Sequence, residues 1–285
     1  MQAEEVRFEF AHATLAARCW GDLAYPPLLA LHGWLDNAGS FDALAPLLAP
    51  HWRVVALDLR GHGRSSHLAP GAWYHYVDYF DDIRAVVGRL GPAPVDLLGH
   101  SLGGTLASLF AAACPERVGR LLLVEALGPL TTTLDEALPQ LRRALDQREA
   151  FATRRPLRVF ATLEEAIAAR MAANDLSEAA ARAIVERGVR AVDGGWVWSS
   201  DPRLTLASPQ RYGEEPVRAI LRGIRAPTRL VLADPPTSYL PTSMMDARAA
   251  CVAGIRVTRI AGHHHLHLER ADAVAEALLA PGFEA

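Results

Sequence analysis

The 285-residue sequence predicts an α/β protein: an eight-stranded, mostly parallel sheet with helices on both faces and a helical cap inserted after strand six. Three observations predict it. Short apolar runs alternate with amphipathic helical patterns. One interval between runs is far longer than a crossover needs. One run ends in a glycine-flanked serine that opens a helix.

In chain order, Val6, Phe8 and Phe10 alternate with polar residues, the period of a half-buried strand, and residues 14–19 supply its hairpin partner. Compact apolar runs at 28–31, 53–57, 95–98, 120–124, 228–233 and 255–260 read as strands covered on both faces. Tyr76, Val77, Phe80, Ile83, Val86, Val87 and Leu90 fall at helical spacing. Between Ala126 and Pro227 lie about a hundred residues, where a crossover needs only a dozen or more. Helical patterns over 134–152, 162–173 and 177–190 fill it, followed by Gly194-Gly195-Trp196-Val197-Trp198. Residues 130–212 therefore read as a near-neutral cap, and 1–129 with 213–285 as the core.

The net charge of −3, with all 29 basic residues arginine, argues against a nucleic-acid binder, which needs a strongly basic face. Cys19, Cys114 and Cys251 are too few and too scattered for a disulfide framework or a metal knuckle. The first five residues are acidic without an apolar run, so no secretory signal is expected. The apolar runs are too short to span a bilayer. A cytoplasmic protein, monomeric or weakly dimeric, acting on a small molecule without nucleic acid, membrane or cofactor, is the expectation.

Gly99-His100-Ser101-Leu102-Gly103-Gly104 follows the run 95–98 and opens an apolar helix. This is the strand–turn–helix setting of a Gly-x-Ser-x-Gly nucleophile elbow. The sharp turn lifts the Ser101 hydroxyl above the sheet, at a helix N-terminus whose partial positive charge favours an oxyanion. His32-Gly33-Trp34 follows the run 28–31 directly. With these motifs the chain resembles the α/β-hydrolases over essentially its whole length. Within them, His32-Gly33-Trp34-Leu35-Asp36-Asn37, Gly61-His62-Gly63-Arg64-Ser65-Ser66-His67 and His264-His265-Leu266-His267-Leu268-Glu269 resemble the serine hydrolase-like proteins. In the second motif, His62 reads as structural.

The resemblance implies an α/β-hydrolase fold and an oxyanion hole made by the backbone N–H groups of Trp34 and Leu102. It also puts Trp34 and His100 at the substrate. Its catalytic base lies five residues before a glutamate that precedes the last helix, so Glu269 marks His264. His263 is the competing imidazole, and His265 and His267 are packing or hydrogen-bonding neighbours. A metal site is the rival reading of this histidine cluster. Consecutive histidines in a loop point to alternate sides, and no Asp/His cluster elsewhere in the sequence matches, so no metal is expected. For the acid that orients the base, Glu125, ending the run 120–124, is preferred over Asp234. Asp234 stands about two residues early for the usual location, before Pro235 and Pro236.

A serine nucleophile favours an acyl-enzyme, hence carboxylic-ester hydrolysis on a small apolar or amphipathic substrate. C–C bond hydrolysis or perhydrolysis on the same triad, a cofactor-free lyase or oxygenase, and a catalytically silent binding or sensor protein are the alternatives. Arg154, Arg155 and Arg158 read as a solvated cap face, with carboxylate capture the rival reading.

Overall fold

The computed structural model describes residues 2–151, 153 and 157–282. Eight strands form one sheet: β1 (Glu4–Glu9), β2 (Thr14–Trp20), β3 (Pro27–Leu31), β4 (Arg53–Leu57), β5 (Val95–His100), β6 (Val118–Val124), β9 (Thr228–Asp234) and β10 (Arg256–Ala261). Their order is β1-β2-β4-β3-β5-β6-β9-β10, and only β2 runs against the others. The central strands are apolar at nearly every position because both faces are covered. Leu29, Leu31, Val55, Leu57, Leu97, Leu121 and Leu123 face one layer; Leu28, Ala30, Val54, Ala56, Leu98, Leu122 and Val124 face the other.

The first layer is closed by α2 (Phe80–Leu90), α3 (Leu102–Ala113), α7 (Glu214–Leu221) and α8 (Thr242–Ala249); the second by α1 (Ala45–Leu48) and α10 (Ala271–Leu279), with α9 (Leu266–Glu269) preceding α10. Ile83, Val86 and Val87 of α2 are buried, one helical face as the spacing predicts.

The interval after β6 holds α4 (Leu134–Phe151), α5 (Leu163–Asn174) and α6 (Glu178–Gly188), then a hairpin of β7 (Val189–Val192) and β8 (Gly195–Trp198). The hairpin corrects the sequence reading, which carried the third cap helix to residue 190. Gly194 and Gly195 have φ of 83° and 145°, so they turn the chain where most residues would be strained. Helices α5 and α6 share a small apolar core with Phe160, Ile167, Leu176, Ile184 and Val185, closed by Leu268 of α9. Helix α4 buries only Ala144 among the described residues and is tied to its surroundings through polar contacts of Gln140, Gln147 and Arg148. Among the described residues no helix is long and apolar enough to cross a membrane.

Candidate active site

The β5–α3 turn places Ser101 at φ 51°, ψ −112°, a strained conformation for a residue with a side chain. Surrounding packing holds it there. Ser101 N donates to Val124 O (3.1 Å), and Gly103 N donates to His32 O (3.0 Å). A Cβ on Gly103 would lie 1.8 Å from the Leu31 carbonyl oxygen, so only glycine lets the first turn of α3 approach the end of β3. This approach sets the loop after β3 beside the N-terminus of α3. Among the described residues, neither the Trp34 nor the Leu102 amide is taken by a turn or loop hydrogen bond.

His264 follows β10, and its Nε2 lies 2.9 Å from Ser101 Oγ. Its Nδ1 lies 3.1 Å from Glu125 Oε2. A carboxylate only accepts, so Nδ1 carries the proton and Nε2 is left to accept from the serine hydroxyl. Glu125 is 2% exposed, and its other oxygen accepts from Ala233 N at 2.5 Å. The three residues thus form one continuous chain of hydrogen bonds. Asp234, the rival acid, is exposed at the end of β9, and its side chain makes no hydrogen bond or ion pair among the described residues. Tyr239 packs edge-on against His264 with ring centroids 5.4 Å apart, a contact the sequence did not announce.

One expectation changes. His100 is not at the substrate surface: it is 1% exposed beneath the site. Its Nε2 donates to the His264 backbone carbonyl at 2.9 Å, so it steadies the loop that carries His264. Burial lowers its pKa far below 6.5 and keeps it neutral. The Trp34 indole is 53% exposed, and its Nε1 donates to Leu204 O, in the segment between β6 and β9, at 2.8 Å.

His263 is half-buried. The remaining neighbours lie inward. His267 Nε2 is 2.6 Å from Ser40 Oγ, which in turn donates to Asp36 Oδ2 at 3.1 Å. His265 is buried, its Nε2 4.0 Å from the same carboxylate oxygen. Burial alone would push the Asp36 carboxyl up, but the Arg170 guanidinium and the facing imidazoles bring it below the ordinary value. Asp36, His100 and His267 each offer one ligand atom within 4.8 Å of the others, a convergence of distant positions invisible in the sequence. As a metal cage the group is poorly arranged. The His100 and His267 rings stack with centroids 3.8 Å apart and planes inclined by 32°, so their in-plane lone pairs run alongside each other. Asp36 is already paired with Arg170. His62 is buried edge-on to His32, with its Nδ1 on Arg60 O and no hydrogen bond to Ser101 or His264 among the described residues. Arg158 is exposed and lies over the Phe160 ring, whereas Arg154 and Arg155 fall outside the described residues.

A nucleophile elbow, an imidazole and a buried carboxylate on a sheet of this order define the class. Residues 26–214 match the family described as alpha/beta hydrolase fold. A serine hydrolase-like protein of Danio rerio is 34% identical over 97% of this chain and 87% of its own length. The crystal structure of a hypothetical protein from Pseudomonas aeruginosa PAO1 superposes with a TM-score of 0.90 at 41% identity, covering 96% of this chain and 98% of that one. A thioesterase domain from the curacin biosynthetic pathway gives 0.85 at 29% identity, covering 98% and 99%. The chain belongs to the α/β-hydrolase family and, within it, to the serine hydrolase-like proteins.

Proposed function

We propose that the protein hydrolyses a small apolar or amphipathic carboxylic ester through an acyl-enzyme, with Ser101 as nucleophile, His264 as general base and Glu125 as orienting acid. The observation that carries this reading is the hydrogen-bond chain Glu125–His264–Ser101, at 3.1 and 2.9 Å. As Ser101 Oγ attacks the substrate carbonyl carbon, its proton passes to His264 Nε2. The Glu125 carboxylate stabilises the imidazolium formed. Negative charge grows on the carbonyl oxygen, opposite the Trp34 and Leu102 amides, where the N-terminus of α3 adds a favourable field. Collapse expels the alcohol, which takes the proton from His264. Water then attacks the acyl-enzyme by the same route and releases the acid. A thioester differs only in its leaving group, and the likeness to a thioesterase domain at 29% identity favours including acyl thioesters. The three free thiols fit a reducing, cytoplasmic setting.

A fluorophosphonate probe should label the wild-type protein and not Ser101→Ala. The same substitution should reduce hydrolysis of short p-nitrophenyl esters by up to ~10⁶-fold. An unlabelled wild type would instead support the silent, binding-protein reading.

A further inference from the structure

Resting on that reading, we propose that Arg170 of the cap is a positioning residue for the oxyanion loop, so that the cap braces the catalytic machinery. The loop that carries the Trp34 amide is held from both sides: the core grips His32, Asp36 and Ala38 through Gly103, Ser40 and Asp58, and the other grip comes from outside the sheet domain. Arg170, on α5, is 9% exposed. Its Nη1 donates to Leu35 O at 3.1 Å, and its Nη2 pairs with Asp36 Oδ1. One guanidinium therefore grips the two residues that immediately follow Trp34, in the two-pronged manner its planar fork allows.

What it grips is a strained turn. Leu35 has φ of 59°, in the left-handed region that favours glycine. Asp36 N donates to Gly33 O at 3.1 Å, closing the turn around Trp34 and Leu35. A strained conformation persists only where its surroundings over-determine it, and here the cap supplies much of that determination. Two further cap elements hold the same loop. Asn37 Nδ2 donates to Ile184 O of α6 at 2.8 Å, and the Trp34 indole donates to Leu204 O at 2.8 Å. From the core side Asp58 Oδ1 accepts from Ala38 N at 2.7 Å, while its carboxylate also receives Arg187 of α6 at 2.9 Å. A backbone donor aimed at an oxyanion contributes only if it is already in place when charge develops. Releasing Leu35 and Asp36 frees the turn to relax and swings the Trp34 amide off its target, without touching the substrate itself.

The test compares wild type, Arg170→Lys and Arg170→Met, with thermal melting as a check on folding. In Arg170→Met, kcat for a p-nitrophenyl ester should fall about ten-fold or more, short of the ~10²–10³ of losing a donor outright, with KM nearly unchanged. Affinity for a trifluoromethyl ketone, whose hemiketal oxygen occupies the oxyanion position, should fall by the same factor. Arg170→Lys keeps the charge and loses the fork, so it should fall in between, and it carries the test should the methionine variant fail to fold. Amide hydrogen exchange adds a readout independent of turnover: residues 33–38 should exchange faster in the variants than in the wild type. Unchanged kcat with unchanged exchange in a folded variant overturns the brace, as does a loss confined to KM. A wild type that resists the fluorophosphonate probe overturns the proposed function alone, and the exchange measurement still judges Arg170.

Discussion

Glu125 sits where a carboxylate is hard to keep, at the C-terminal end of a buried strand and with φ of 56°. Burying an unpaired charge is costly, and both of its oxygens are accordingly engaged, one by the Ala233 amide and one by His264. That geometry supports the proposed orienting role. Glu125→Gln keeps the shape but can donate toward Nδ1, favouring the wrong tautomer, and should lower kcat by up to ~10⁴. Asp234→Asn should leave turnover near wild type. A loss in Asp234→Asn alone, in steady-state kinetics on the same ester, would reverse the assignment. Ser101 is legible from its glycine-flanked turn between a strand and a helix, whereas His264 and Glu125 are singled out through the family resemblance, which puts a base five residues before Glu269 and an acid at the end of the sixth strand. Asp36 and Arg170 could not be singled out: their partners come from positions 36, 100, 170 and 267, and only the folded chain brings those together. His100 misleads for a related reason, since adjacency to the nucleophile in sequence places it one step below the surface in the turn.

Strands were easier to read than the segment between β6 and β9, and the cause is packing. A parallel strand covered on both faces must be almost wholly apolar, and five of the six short runs are such strands. The sixth, β10, lies at the sheet edge and is largely exposed, so the expectation that it is covered on both faces fails, although all six runs locate their strands to within about two residues. The β7–β8 hairpin carries no such signal: Val189–Val192 is only partly covered, and its run continues a helical pattern. Helix α4 misleads in the opposite sense. Leu134, Leu138, Leu141 and Leu145 have the spacing of a core-facing stripe, yet they are 96%, 54%, 42% and 53% exposed. These contrasts make a stability prediction. Leu138→Gln, at an exposed position of a helix tied down by Ala144 and by the polar contacts of Gln140, Gln147 and Arg148, should change unfolding free energy by no more than ~0.5 kcal/mol. Gly103→Ala drives a methyl group into the Leu31 carbonyl and should cost about 3 kcal/mol or more, because the displaced atoms are backbone. Urea denaturation checks both. Similar losses for the two would mean that α4 is buried in solution or that the elbow can yield.

Across the whole molecule, the interior around the site holds neutral histidines. Burial lowers the pKa of His32 and His265 from 6.5 to about 4 and that of His62 to about 3, and holds His100 and His267 well below 6.5. The unfolded chain binds protons at these groups below pH ~6.5, while the folded chain does not until its own lower values are reached. Their contribution to stability is therefore complete above pH ~6.5 and is lost progressively as the pH falls, at up to about 1.4 kcal/mol per pH unit for each group. Asp42 acts with the opposite sign. Burial raises its pKa to about 6, so between its ordinary value of 3.8 and that point the folded state holds the extra proton. One carboxyl against five imidazoles does not reverse the balance. The melting temperature should thus be nearly level from pH 8 to 7 and fall steeply from pH 6.5 toward 4.5. His62→Gln, outside the Glu125–His264–Ser101 hydrogen-bond chain, removes one of the titrating groups and should make that fall shallower by about one proton's worth of slope. A profile flat down to pH 4.5, or one no shallower in a folded His62→Gln, would mean that these imidazoles are reached by solvent and protonate within the fold.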